Sequence, residues 1–203
     1  MTPDEVDAIP YRAENGSIIN HKENERDEQE LVRKYLKKDA RVLELGARYG
    51  TVSCLISAIL DDPSKHVAVE PDVSVLSALI YNKLTHSGKF HIVVGAISRT
   101  PVSFDFTCGY GNHTVPNSFS TVETFTLEEI EKRYDVSFNC LVADCEGFLE
   151  QFFRENPDFP SKLDMIIFES DGGDWCDYVY VKETLQRAGL RPVVDGFQSV
   201  WVR

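Results

Sequence analysis

The stretch Val42-Leu43-Glu44-Leu45-Gly46-Ala47-Arg48-Tyr49-Gly50 constrains this chain more than any other. A short apolar run with an acid near its end, then glycines, then the stripe Val52, Leu55, Ile56, Ile59 and Leu60 reads as buried strand, tight turn and helix, stopped at Asp62-Pro63. The unit repeats. His66 to Glu70 is a strand, Asp72 opens a helix with Leu76, Leu79, Ile80 and Leu84 inward, and Phe90 to Val94 is the next strand. Strands alternating with amphipathic helices predict an α/β, Rossmann-like parallel sheet with helices on both faces and a ligand crevice at the carboxyl ends of its strands.

The flanking segments complete the expectation. Residues 1–24 form an N-terminal arm with a turn at Asn15-Gly16, and Glu25 to Lys38 is a helix with acids early and Lys34, Lys37 and Lys38 late. After the strand Val102 to Phe106, residues 107–121 are rich in Gly, Asn, Ser and Thr and read as a long loop on the acceptor side of the crevice. Thr126 with Glu129 makes a capping box for a helix to about Tyr134, and Asn139 to Ala143 is a strand running into Asp144-Cys145-Glu146-Gly147. A helix follows to Asn156-Pro157. The strand Asp164 to Phe168 carries Glu169 and Asp171 at its end, and a helix runs from about Trp175 to Ala188. Leu190 to Val194 and Phe197 to Val202, joined at Asp195-Gly196, read as a hairpin that adds an antiparallel strand. With 203 residues, 42% of them apolar, the chain is expected to be one domain, 1–203.

Charge narrows the partners. Lys and Arg number 21 against 33 Asp and Glu, a formal charge of -12, which lacks the phosphate-neutralising footprint of a nucleic-acid binder and disfavours anionic membranes. No apolar run reaches the roughly 18 to 20 residues of a membrane span, and the start, with Asp4, Glu5 and Asp7, does not resemble a secretory signal. The expectation is a cytoplasmic protein with no nucleic-acid or membrane partner. The five cysteines, Cys54, Cys108, Cys140, Cys145 and Cys176, include no CxxC pair and read as free thiols.

The first turn lacks the central glycine that lets backbone amides approach a pyrophosphate; Arg48 and bulky Tyr49 stand there instead. S-adenosylmethionine carries no phosphate but an ammonium and a sulfonium, so Glu44 beside the turn formed by Gly46, Ala47, Tyr49 and Gly50 suits its amino-acid tail. Glu70, 24 positions after Gly46 and followed by Pro71, has the spacing of a carboxylate that accepts ribose hydroxyls. Gly95, Ala96 and Ile97 offer small and apolar groups for an adenine ring. Asp144 and Glu146 at one strand mouth, with Glu169 and Asp171 at the next, repel one another unless something cationic visits.

Leu43-Glu44-Leu45-Gly46-Ala47, Val69-Glu70-Pro71, Thr126-Leu127-Glu128 and above all Leu141-Val142-Ala143-Asp144-Cys145-Glu146-Gly147, in this order, resemble the FkbM family of S-adenosylmethionine-dependent O-methyltransferases over roughly residues 38–170. The resemblance implies a class I methyltransferase fold, a seven-stranded sheet whose last strand is antiparallel, and an oxygen acceptor such as a sugar or natural-product hydroxyl. It also implies a domain of the kind found beside glycan-building enzymes. Arg48 stands where the family usually has Asn, and Leu149 where a second Glu commonly follows the Glu-Gly pair.

For the chemistry, Asp144 or Glu146 is the expected orienter or proton acceptor for the hydroxyl, and His113 is the histidine placed to reach the crevice. His66, His86 and His91 fall on strands or a helix end and read as structural. Asp144, Glu169 and Asp171 together form a candidate divalent-metal site with oxygen ligands. Trp175 offers either a stacking face for a sugar or a core anchor. The expected acceptor is a small molecule or oligosaccharide. Two other readings stay open: a nicotinamide-dependent oxidoreductase, which shares the first strand, loop and Glu70, and a non-catalytic binding or docking module.

Overall fold

The computed structural model describes residues 1–21, 25–105, 113–116, 120, 122–171 and 175–203. The chain opens with helix α1 (Pro3–Ala8), the short strands β1 (Tyr11–Arg12) and β2 (Ile18–Ile19), and helix α2 (Arg26–Tyr35). Then come β3 (Val42–Leu45), α3 (Thr51–Ile59), β4 (His66–Glu70), α4 (Leu76–Thr85), β5 (His91–Val94), β6 (Ala96–Ile97), β7 (Val102–Asp105), β8 (His113–Pro116) and β9 (Thr124–Phe125). The second half holds α5 (Leu127–Tyr134), β10 (Cys140–Ala143), α6 (Leu149–Glu155), β11 (Met165–Glu169), α7 (Tyr178–Arg187), β12 (Arg191–Val194) and β13 (Gln198–Val202).

Seven strands form one sheet in the order β12-β13-β11-β10-β3-β4-β5, parallel except for β13, which runs antiparallel to both neighbours. Side chains alternate between two packed faces, which is why the strands read as continuous apolar runs. Leu141 and Ala143 of β10, with Ile166 and Phe168 of β11, join one core with Phe152, Phe153 and Phe159. Cys140, Val142, Met165 and Ile167 join the other, under Val32, Leu55 and Ile56 of α2 and α3. Each fully buried Leu, Ile, Val, Met or Phe among them contributes about 1.5–3 kcal/mol.

The register determines where chemistry gathers. Ala143 lies opposite Leu45 on one side and Phe168 on the other, so Gly46, Asp144 and Glu169 emerge side by side at the same edge of the sheet. Gly46 sits at φ +88°, and a Cβ there would lie 1.7 Å from the Asp144 carbonyl oxygen, so only glycine lets these two strand ends meet.

Several expectations are corrected. The arm is built into the fold: Tyr11 is buried and stacks on His86 with ring centroids 3.9 Å apart. The buried Asn82 accepts the Arg12 N–H at 3.0 Å and donates Nδ2 to the carbonyls of Arg12 and Tyr49, both at 2.9 Å. Helix α4 starts at Leu76 because residues 72–75 form a turn in which Asp72 accepts the Ser74 N–H at 2.8 Å. Its inward face is therefore Val75, Ala78, Leu79 and Asn82, while Ile80 and Leu84 are 43% and 73% exposed. Helix α7 starts at Tyr178, capped by Asp177 through the Tyr180 N–H at 3.0 Å. Within the expected loop 107–121, β8 pairs antiparallel with β7; positions 107–112, 117–119 and 121 lie outside the described residues. Cys54 and Cys140 are buried free thiols and Cys145 and Cys176 half-buried ones; Cys108 lies outside the described residues. Among the described residues, no helix is long and apolar enough to cross a membrane.

Candidate functional site

A cleft with about 740 Å³ of empty space, including its open mouth, lies at the carboxyl ends of β3, β4, β5 and β10. Gly46 and Arg48 supply one wall, Glu70, Pro71 and Asp72 the next, Gly95, Ala96 and Ile97 a third, and Asp144, Cys145, Glu146 and Phe148 the fourth. Gly46, Glu70, Pro71, Ala96, Asp144 and Glu146 are thus brought together as the sequence suggested.

Glu70 is 6% exposed and its two oxygens are pinned separately: Oε2 accepts the Arg48 N–H at 2.6 Å and Oε1 the Asp72 N–H at 2.7 Å. Burial pushes its carboxyl up to about 7, against the two amide hydrogen bonds, which favour the charged form. An acid held this way in the cleft wall keeps further lone pairs on both oxygens and suits a pair of hydroxyl donors.

The acids form one crowded group. Carboxylate oxygens of Asp144, Glu169 and Asp171 lie within 4.8 Å of one another, so these three residues fit an oxygen-liganded cation. Asp171 is oriented by the Gly147 N–H at 3.0 Å and the Tyr178 hydroxyl at 3.2 Å, and Glu169 accepts a hydrogen bond from Gln198 Nε2. Burial first, then neighbouring carboxylates, raise Asp144 well above the usual range, Glu169 to about 7, and Glu146. Burial raises Asp171 too, opposed by its hydrogen bonds. Asp144 Oδ1 is buried with no hydrogen-bond partner among the described residues, which marks a place for a positive donor.

Four of the cofactor candidates do not line the cleft, and neither do the metal candidates Glu169 and Asp171. Glu44, expected beside the cofactor's amino-acid tail, points to the other face of β3, 2% exposed and 2.8 Å from His66 Nε2. Ala47 packs against Ala68 and Leu79 in the core. Tyr49 donates its hydroxyl to Glu14 at 2.6 Å, and Gly50, at φ +78°, begins α3 against Leu79. These three support the turn from behind. His113 falls on β8, and its side chain lies outside the described residues.

The structure adds residues the sequence reading passed over. Arg48, which the sequence marks as an obstacle to phosphate and as a departure from the family's usual Asn, has left-handed backbone (φ 42°) and is the single cation among the described residues lining the cleft, its guanidinium 4.8 Å from the Tyr49 ring centroid. Glu28 of α2 is buried, and burial followed by repulsion from Asp144 raises it well above the ordinary range. Its charge looked like ordinary helix-start acidity; no local signal reveals a partner more than 100 positions away.

No protein-family model and no curated protein matches the chain. Among solved structures, precorrin-6y C5,15-methyltransferase from Geobacter metallireducens superposes at a TM-score of 0.52 with 14% identity, over 91% of this chain and 88% of that one. Aeropyrum pernix fibrillarin, solved with natively bound S-adenosyl-L-methionine, gives 0.51 with 15% identity over 87% and 74%. The Methanococcus jannaschii fibrillarin pre-rRNA processing protein gives 0.51 with 14% identity over 91% and 76%. The fold is the Rossmann-like methyltransferase fold. Its antiparallel last strand is present here as β13, as the hairpin at Asp195-Gly196 led us to expect. Because such neighbours include a pre-rRNA processing protein, the fold itself is no argument against a nucleic-acid acceptor.

Proposed function

We propose that this chain is an S-adenosylmethionine-dependent O-methyltransferase of the FkbM type, acting on a hydroxyl of a small or glycan acceptor, a sugar in preference. The observation that carries the reading is Glu70, buried at the end of β4 and pinned by two backbone amides in the wall of a cleft that also exposes an unpartnered acid, Asp144. Glu70 would hold the ribose hydroxyls, Ala96, Ile97 and Phe148 the adenine, and Asp144 the ammonium, while Arg48 in the turn takes the space a pyrophosphate needs. Bound there, S-adenosylmethionine would supply a methyl group on a sulfonium, with a neutral thioether as the leaving group when the acceptor oxygen takes it.

The protein's own work is alignment and removal of the acceptor proton. Glu146 is the group we assign to it. It lines the cleft with Asp144, at a left-handed φ of 51°, and burial together with Asp171 raises its carboxyl above the ordinary value. Asp144, Glu169 and Asp171 also support a divalent cation as an auxiliary that would lower the pKa of a nearby hydroxyl. The net charge of -12 favours an uncharged acceptor over nucleic acid through long-range repulsion.

The test is transfer of labelled methyl from S-adenosylmethionine to sugars, phenols and RNA. Incorporation into a hydroxylated acceptor that drops by about 10²-fold or more in Glu146→Gln is expected. Absence of labelled product with every acceptor class contradicts the reading.

A further inference from the structure

A second cleft, with about 1080 Å³ of empty space including its mouth, adjoins the first and shares Glu146 and Phe148 with it. We infer that this second cleft is the acceptor subsite and that it is built for an uncharged pyranose, recognised by Trp175 on one side and by the solvent face of α6 beneath. The inference rests on the methyltransferase reading above and extends it to residues outside the cofactor cleft.

The floor is Glu150, Gln151, Arg154 and Glu155, whose spacing puts them on one face of α6. They are fixed by one another before any ligand arrives. Gln151 Nε2 donates to Thr100 Oγ1 at 3.1 Å and Glu155 Oε1 at 3.0 Å, and Arg154 Nε donates to Glu150 Oε1 at 2.7 Å. Glu150 Oε2 in turn accepts the Asp177 N–H at 2.7 Å, and the Arg154 guanidinium lies 4.0 Å from the Tyr180 ring centroid. Planar side chains that carry both donors and acceptors, held by one another, match the vicinal hydroxyls of a sugar, while the apolar parts of the lining match its C–H face.

The side wall is Trp175, 46% exposed. It is seated where it is because Gly147 has no side chain: a Cβ there would come within 2.9 Å of the Trp175 Cβ. An indole face beside a polar floor is the combination that takes the C–H face of a pyranose while its hydroxyls are bonded from below. Charge then selects among sugars. Among the described residues that line this cleft, three acids, Glu146, Glu150 and Glu155, stand against one cation, Arg154, so phosphorylated and acidic sugars are repelled. Glu146, in both linings, stands where a hydroxyl from this cleft meets the other.

The experiment exploits the tryptophans, which number two, Trp201 being buried and Trp175 exposed, so a ligand-induced emission change reports on Trp175. The protein, saturated with S-adenosylhomocysteine, is titrated with methyl glycosides of neutral hexoses and of N-acetylglucosamine, with methyl glucuronide, glucose 6-phosphate and catechol, and saturation-transfer NMR is recorded in parallel. A saturable response to at least one neutral glycoside is expected, with its Kd raised tenfold or more in Arg154→Ala and Gln151→Ala by both readouts and in Trp175→Ala by NMR. S-adenosylhomocysteine affinity should stay unchanged in all three variants, and each should remain folded by circular dichroism at the assay temperature. No saturable response to any neutral glycoside, preference for glucose 6-phosphate, glucuronide or catechol, or unaltered affinity in the variants overturns the inference. Failure of S-adenosylhomocysteine to bind wild type is a separate result, and it removes the methyltransferase reading itself.

Discussion

Replacing Glu70 by Gln separates what the fold asks of this side chain from what a ligand asks. Its carboxyl is raised from 4.5 to about 7 by burial, so the folded state holds the proton more tightly than the unfolded chain does. Stability is therefore lost as pH rises from about 4.5 to 7, and above 7 the buried charge costs about 3 kcal/mol. Gln cannot ionise, which recovers that cost at pH 8. Its amide offers one acceptor oxygen where the carboxylate offers two, so either the Arg48 or the Asp72 N–H loses its partner, at about 1–2 kcal/mol. The net expectation at pH 8 is a gain of about 1–2 kcal/mol, a Tm higher by roughly 2–6 °C, and at pH 5 no gain. Cofactor affinity should move the other way, weaker by about 10- to 100-fold, because the acceptor for the ribose hydroxyls is halved and neutral. Thermal melts at the two pH values and a titration with S-adenosylmethionine read both signs. A variant less stable than wild type at pH 8 refutes the burial argument, and one with unchanged affinity refutes the ribose assignment.

Three further outcomes follow from the geometry. Gly46→Ala, with its Cβ 1.7 Å from the Asp144 carbonyl and φ at +88°, should cost about 3 kcal/mol or more and abolish cofactor binding, checked by denaturant unfolding and calorimetry. His66→Ala leaves the buried Glu44 without its 2.8 Å hydrogen-bond partner and should cost about 1–3 kcal/mol in urea unfolding, while the cofactor Kd of the folded fraction stays within twofold, since neither residue lines the cleft. Millimolar Mg²⁺ should raise the wild-type Tm, reversibly with EDTA, and leave Asp171→Asn unmoved; no shift in wild type removes the metal and leaves the ammonium as the cation these acids serve.

What was legible beforehand was what neighbouring residues encode. The strand and glycine turn at Val42–Gly50, the capping box at Thr126, observed with both of its hydrogen bonds, and the hairpin at Asp195-Gly196 all depend on contacts a few positions long. The cleft was legible as far as strand ends were, which is how Glu70, Ala96 and Asp144 came together. What escaped needed the third dimension. Glu44 and His66 meet across β3 and β4 at a separation of 22, and nothing local distinguishes a paired acid inside the sheet from one aimed at a ligand. The phase of α4 is ambiguous in the sequence because Leu76, Ile80 and Leu84 also repeat at helical spacing; packing of β1 against the helix selects the face bearing Asn82. Glu28 and Arg48 are ordinary surface residues until the ends of α2, β3 and β10 converge around them.

The most direct measurement is calorimetric titration of the protein with S-adenosylmethionine and, separately, with NAD, on wild type and Glu70→Ala. Micromolar binding of S-adenosylmethionine that collapses in Glu70→Ala, with no heat from NAD, is the expected result. Binding of NAD without S-adenosylmethionine, or of neither, contradicts a methyl-transfer site in this cleft.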